Sequence, residues 1–184
     1  MRACVSELAR VQKGMLALLK RREWPADDPY LRVVAESAGL ALVRKIGLWW
    51  TAVSLEAQCR YTTRLLKRLD EFDASVAGFF ESESVSPFIE EMGPDFLRRM
   101  SAHPEPLLRS VAEFELSILL IQLGRGAPRE ILWDRHPERT IVALERREAL
   151  PEPEPGCRYR LFIDPDERPI MRCAREAIIG FVAA

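Results

Sequence analysis

Apolar residues recur at three- and four-residue intervals through the first two thirds of the chain, then shift towards alternation beyond Pro128. The first period places side chains on one face of a helix, the second on alternate faces of a strand. From Ser6 to Glu23 the set Leu8, Val11, Met15, Leu18 and Leu19 predicts a helix, closed by Trp24-Pro25 and the turn residues Asp27, Asp28 and Pro29. Tyr30 to Trp50 keeps apolar side chains around most of its circumference and predicts a buried helix, with Gly39 and Gly47 as places for close approach or interruption. The clearest amphipathic pattern spans Leu55 to Leu69. There Leu55, Cys59, Thr62, Leu66 and Leu69 share one side, and Arg60, Arg64, Lys67 and Arg68 fall nearly opposite. Phe72, Val76, Phe79 and Phe80 continue the helical spacing. Ser82 to Ser86 then reads as a loop, with Ser86 placed to cap a short helix that starts at Pro87 and runs through Met92. Gly93-Pro94 predicts a break before a further helix, Asp95 to Met100. His103-Pro104-Glu105-Pro106 interrupts the chain again, and the next helix ends near Leu123, where Gly124 and Gly126 stop it.

Beyond Pro128, Thr140 to Leu144 and Tyr159 to Ile163 read as two antiparallel strands flanking the acidic, proline-rich loop Leu150 to Gly156. Asp164 to Pro169 is a turn by composition. Ile170 to Cys173 then adds a third strand, and Ala174 to Val182 a closing helix. The expected fold class is therefore α+β: a helical domain over residues 1–127, followed by a small antiparallel β-rich lobe over 128–184.

Charge narrows the function. A formal net charge of -1 and a pI near 6.2 give no global positive field of the kind that drives non-specific nucleic-acid binding. The first 24 residues offer only Met15 to Leu19 as an apolar run, broken on both sides by charges. That matches neither a signal peptide nor a spanning helix, so a cytoplasmic protein without a membrane partner is expected. The four cysteines form no CxxC pair and are expected as free thiols. The two histidines, His103 and His136, each precede a proline in a connecting segment, so a centre built on several imidazoles cannot be assembled. Glu113 and Glu115 lie two apart, roughly 200° around a helix, and cannot act as a pair. Glu115 falls near the apolar stripe and is expected as a buried acid satisfied by an arginine. No P-loop, GxGxxG or GxSxG occurs. The row Arg60, Arg64, Lys67 and Arg68 suits phosphates, an acidic peptide or an acidic partner, or is simply a solvated helix face. An exposed strand of the C-terminal sheet is a candidate of another kind, since its unpaired backbone groups can accept an extended peptide.

The run Pro106-Leu107-Leu108, two residues, then Val111-Ala112-Glu113-Phe114-Glu115-Leu116 resembles a helix of one bacterial family. These are the partner proteins of multinuclear iron enzymes in ribosomal-peptide natural-product biosynthesis, a family first classed as a DNA-binding domain. Upstream, Ser86-Pro87-Phe88 to Asp95-Phe96-Leu97 is similar to the same family, so the likeness spans roughly residues 79–119. The family's Tyr-Arg-Asn-Asn run is absent, and Leu116 stands where it commonly has tryptophan.

The resemblance implies a non-catalytic subunit, with no catalytic residue, metal ligand or cofactor of its own. Such a subunit binds a precursor peptide and presents its cysteine to a TIM-barrel oxygenase that holds the iron. It further implies that the helical half meets the enzyme, with Arg60, Arg64, Lys67 and Arg68 as the contact row. The C-terminal lobe would hold the leader peptide through Thr140, Val142 and Leu144 on one strand, and through Arg158, Arg160, Phe162 and Arg172 on or near the others. The competing reading, a DNA-binding regulator, lacks a recognisable helix-turn-helix and a basic pI.

Overall fold

A computed structural model of the protein describes residues 2–82 and 89–177, with side chains from 7 to 82 and from 90 to 177. The fold is α+β: helices dominate the N-terminal part, and a three-stranded antiparallel sheet closes the C-terminal part. Among the described residues no helix is long and apolar enough to cross a membrane. The chain forms two compact units, one from Met1–Val53 with Asp73–Val85, the other from Ser54–Phe72 with Ser86–Ala184. Packing therefore runs across the expected boundary at 127/128, because helices on its N-terminal side belong with the sheet.

The first unit holds α1 (Arg2–Leu19), α2 (Pro29–Glu36), most of α3 (Ala38–Gln58) and most of α5 (Phe72–Phe80). Helix α1 stops four residues earlier than its spacing predicts, and Arg21 takes a left-handed φ of 54°. Asp28 caps α2: its carboxylate accepts from the Tyr30 and Leu31 amides and pairs with Arg10 at 2.7 Å. The Leu31 amide, above all, holds the Asp28 carboxyl below its ordinary value. Leu18, Leu31 and Leu40 form the core here, with Met15, Trp24 and Val34 packed on them. The expected helix from Tyr30 is interrupted at Ser37, and it is not buried on all sides.

The second unit contains α4 (Arg60–Arg68), α6 (Ile89–Met100), α7 (Pro106–Gln122), β1 (Arg129–Trp133), α8 (Pro137–Arg146), β2 (Cys157–Ile163) and β3 (Met171–Ala177). The predicted break at Gly93-Pro94 does not occur; α6 runs through it. The backbone there is served from outside: the Gly93 amide donates to Gln58 Oε1 at 3.1 Å, and the Gly93 carbonyl accepts from Cys59 Sγ at 3.7 Å. The predicted capping by Ser86 and Pro87 lies outside the described residues. Helix α7 is the central element, with Leu108, Val111 and Leu116 almost fully buried, and Ser110 Oγ ties it to β1 through the Leu132 carbonyl at 2.7 Å.

Two corrections concern the sheet. Thr140 to Leu144 is not a strand but the middle of α8. Pro137 opens that helix, and Pro137, Thr140, Ala143 and Leu144 bury one helical face, so three- and four-residue spacing wins over the β-branched run. The strand that pairs with β2 is instead β1, with Ile131 opposite Leu161 and Trp133 opposite Tyr159. Beyond β2, the third strand extends through Ala174 to Ala177, where the start of a closing helix was expected; the rest of that expected helix lies outside the described residues.

Candidate functional site

In the order β1-β2-β3, strand β3 is a sheet edge, and among the described residues it pairs only with β2. Pairing sets Leu161 opposite Cys173 and Ile163 opposite Met171, so Met171, Cys173 and Arg175 share the face that β2 turns into the core. Beneath β2 this face is buried, with Tyr159, Leu161 and Ile163 at 4%, 6% and 1% exposure, whereas every residue of β3 is exposed. The helical layer therefore ends under β2 and leaves β3 uncovered on its inner side. A cleft of about 380 Å³ fills the gap, walled by Leu161, Met171 and Cys173 from the sheet and by Phe114, Ile141 and Val142 from the helices. A second hollow of about 280 Å³ shares Phe114 and Met171 with it and reaches Tyr61, Ile118 and Gln122. An extended segment added alongside β3 would use its unpaired backbone groups and send alternate side chains towards this apolar cleft.

The residues singled out in the sequence divide sharply. Thr140 and Leu144 are both at 0% exposure on α8, with no surface to offer a peptide; only Val142 of that trio lines the cleft. Arg158, Arg160, Phe162 and Arg172 share the opposite, outer face of the sheet. Arg160 is already engaged, with Glu130 at 2.6 Å and Glu176 at 2.7 Å, and Arg172 pairs with Glu167. Arg158 has no ion pair among the described residues. Arg175, which the pattern did not single out, lies on the cleft side, pairs with Glu154 at 2.8 Å and donates to Cys157 Sγ at 3.3 Å. Glu154 also accepts from the Tyr159 hydroxyl at 2.6 Å, and this bond is the main reason its carboxyl is held below the ordinary value.

The structure does bring Arg60, Arg64, Lys67 and Arg68 together, along an open groove of about 900 Å³ that also receives Arg147. Yet the row is mostly employed within the fold. Arg64 donates to the Leu144 and Glu145 carbonyls at 3.1 and 2.9 Å, and Arg68 to the Ala143 carbonyl at 3.4 Å. Arg60 pairs with Glu145 at 2.9 Å, and Lys67 pairs with Glu56 at 2.6 Å and sits over the Phe72 ring. Arg64 and Arg68 thus satisfy the last carbonyls of α8 and face the negative end of its dipole. The solvated-face reading thus becomes a specific one, a clamp that fastens α8 to α4.

Glu115 is buried, as its position predicts, but its partner is not an arginine. Its two carboxylate oxygens accept from the backbone amides of Tyr61 and Thr62 at 2.9 and 2.8 Å, capping α4 from a helix distant in sequence. Burial pushes its pKa up, and the amide bonds oppose that shift. His103 accepts from the Glu105 amide on Nδ1 at 3.2 Å and faces Glu71 with Nε2, also at 3.2 Å. Cys59, Cys157 and Cys173 are free thiols. Among the described residues no three His, Cys, Asp or Glu side chains are grouped to hold a metal ion. Comparison with protein-family models, with curated proteins and with solved structures gives no match.

Proposed function

We propose that this chain is a non-catalytic, peptide-binding partner subunit: it takes up an extended precursor peptide as a fourth strand on β3 and presents the peptide's cysteine to a separate iron-dependent oxygenase. The observation that carries the peptide half of this reading is the fully exposed edge strand above an apolar cleft. Backbone pairing supplies affinity for any extended chain, and the cleft selects apolar side chains at alternate positions. The enzyme half rests on the resemblance of residues 106–116. It assigns the iron to a TIM-barrel partner in a cytoplasmic heterodimer, and no metal to this chain. The contact row proposed for that partner is Arg60, Arg64, Lys67 and Arg68; of these, Arg60 and Lys67 keep about half of their side chains exposed while ion-paired. The alternative, a DNA-binding regulator, is weakened by the same geometry, since Arg64 and Arg68 already spend donors on α8 carbonyls.

The test is co-expression of the tagged chain with its genomic neighbours, followed by pull-down, iron analysis and mass spectrometry of retained peptide. An iron-loaded protein and a cysteine-containing peptide are expected. Cys173→Lys, which puts a charge at the mouth of the cleft, should abolish peptide retention and leave the iron protein bound. Undiminished peptide retention by Cys173→Lys would remove β3 as the site, and a chain that emerges alone and retards DNA at physiological salt would support the regulator.

A further inference from the structure

Helix α3 turns six of its large apolar residues to solvent. Leu42, Val43, Ile46, Trp49, Trp50 and Val53 are each between 42% and 61% exposed. At 100° per residue they occupy one arc of about 120°. Between Leu40 and Leu55, which are buried at 7% and 0% exposure, the middle of the inward arc is small or polar. Gly47 lies there, where an added Cβ would come within 3.1 Å of the Phe80 ring. Beside it lie Thr51, 5% exposed and bonded to the Gly47 carbonyl at 2.9 Å, and Arg44, whose guanidinium is tied to the Leu18 carbonyl. Two neighbouring tryptophans, with ring centroids 6.2 Å apart, thus face solvent while a glycine faces the interior. An amphipathic surface helix has the reverse polarity.

We infer that this arc is a homodimer interface, in which α3 of one copy packs antiparallel on α3 of a second about a two-fold axis. Size fits. Six large side chains at about half exposure present roughly 600 Å² per copy, hence roughly 1,200 Å² across a pair, the lower bound of a specific interface and the upper end of what a monomer leaves uncovered. Pattern fits too. Residues 42, 46, 49 and 53 are spaced four, three, four, which reads identically in both directions, as a two-fold interface requires. An axis between 47 and 48 sets Leu42 against Val53 of the second copy and Ile46 against Trp49. The arc itself contains no charge that would call for an oppositely charged partner. A convex helix face also suits another helix better than an extended peptide.

The experiment is sedimentation equilibrium of the full chain, with neither peptide nor enzyme present, from about 1 to 200 µM. The expected mass approaches twice 21.1 kDa at the upper end. Ile46→Glu should raise the dimer dissociation constant about 100-fold with unchanged helical circular dichroism, because it buries a carboxylate against Trp49 of the second copy in an apolar contact. As a check that does not depend on that variant folding, Ile46→Cys with Trp49→Cys, in a Cys173→Ser background, should give a disulfide-linked dimer on mild oxidation. A wild-type chain still monomeric at about 200 µM, or a dimer indifferent to Ile46→Glu with circular dichroism intact, would overturn the inference.

Discussion

Glu115 is the side chain whose removal should cost most for its size. It is 7% exposed, and its carboxylate is the acceptor for two backbone amides at the start of α4, Tyr61 at 2.9 Å and Thr62 at 2.8 Å. Glu115→Ala removes both acceptors, and water cannot easily replace them at a buried helix start. A buried donor left without a partner costs about 1–3 kcal/mol, so the pair amounts to roughly 2–5 kcal/mol once partial relaxation is allowed for. With a urea slope of about 2 kcal/mol per molar, the midpoint should fall by about 1–2 M. Glu115→Gln should lose less, since its amide oxygen still serves one donor and no charge is buried. The pH dependence separates this account from simple loss of volume. Burial raises the Glu115 carboxyl above its ordinary value of 4.5 in the folded chain. The folded state then holds the proton more tightly than the unfolded state does. Its contribution is greatest below 4.5 and declines as pH rises through the folded value, then levels off. In Glu115→Gln that decline should vanish. Urea unfolding followed by circular dichroism between pH 4 and 8 measures both effects. A Glu115→Ala loss under about 0.5 kcal/mol would mean that the amides find other partners and that α4 does not depend on this cap.

Arg64→Ala should cost about 1–2 kcal/mol and speed amide exchange in the last turn of α8, because two carbonyls lose a charged donor; Arg64→Lys should not restore both bonds. Iodoacetamide labelling of the native chain, read by mass spectrometry, should modify Cys173 and spare Cys59, whose thiol is buried and strongly raised, first by desolvation and then by Glu115. Burial and then Glu138 also raise the Cys173 thiol above the ordinary 9.0, so its labelling should keep accelerating past that pH, and Glu138→Gln should quicken it near pH 8.

The elements legible in the sequence are those whose evidence is local. Asp28-Pro29 and Glu105-Pro106 were legible as breaks between helices, and the structure makes each a cap with a first-turn proline; Gly124, at φ 68°, was legible as a stop. Strand β2 was legible from Tyr159, Leu161 and Ile163, which alternate and are all buried. Helix α8 misled because Thr140, Ile141 and Val142 are β-branched in succession, and the deciding signal was the spacing of Pro137, Thr140 and Leu144. Strand β1 is only five residues long with two of them buried, too short for alternation to stand out.

The candidate sites show a different limit. The basic row was visible as a pattern, but its work was not, because Arg64 meets carbonyls 80 and 81 residues away. The same holds for Glu115, whose partners at 61 and 62 supply amides, groups every residue has and no pattern marks. Thr140 and Leu144 entered the peptide site because their run read as a strand and left it by burial, while Cys173 and Met171 entered because strand order put them at an edge. Periodicity reports which residues share a face; what covers that face depends on pairing order and on where the helical layer ends. That is why β3 carries a cleft and α3 a row of exposed tryptophan and isoleucine, although the α3 segment read in sequence as a buried helix and half of β3 as the start of another helix.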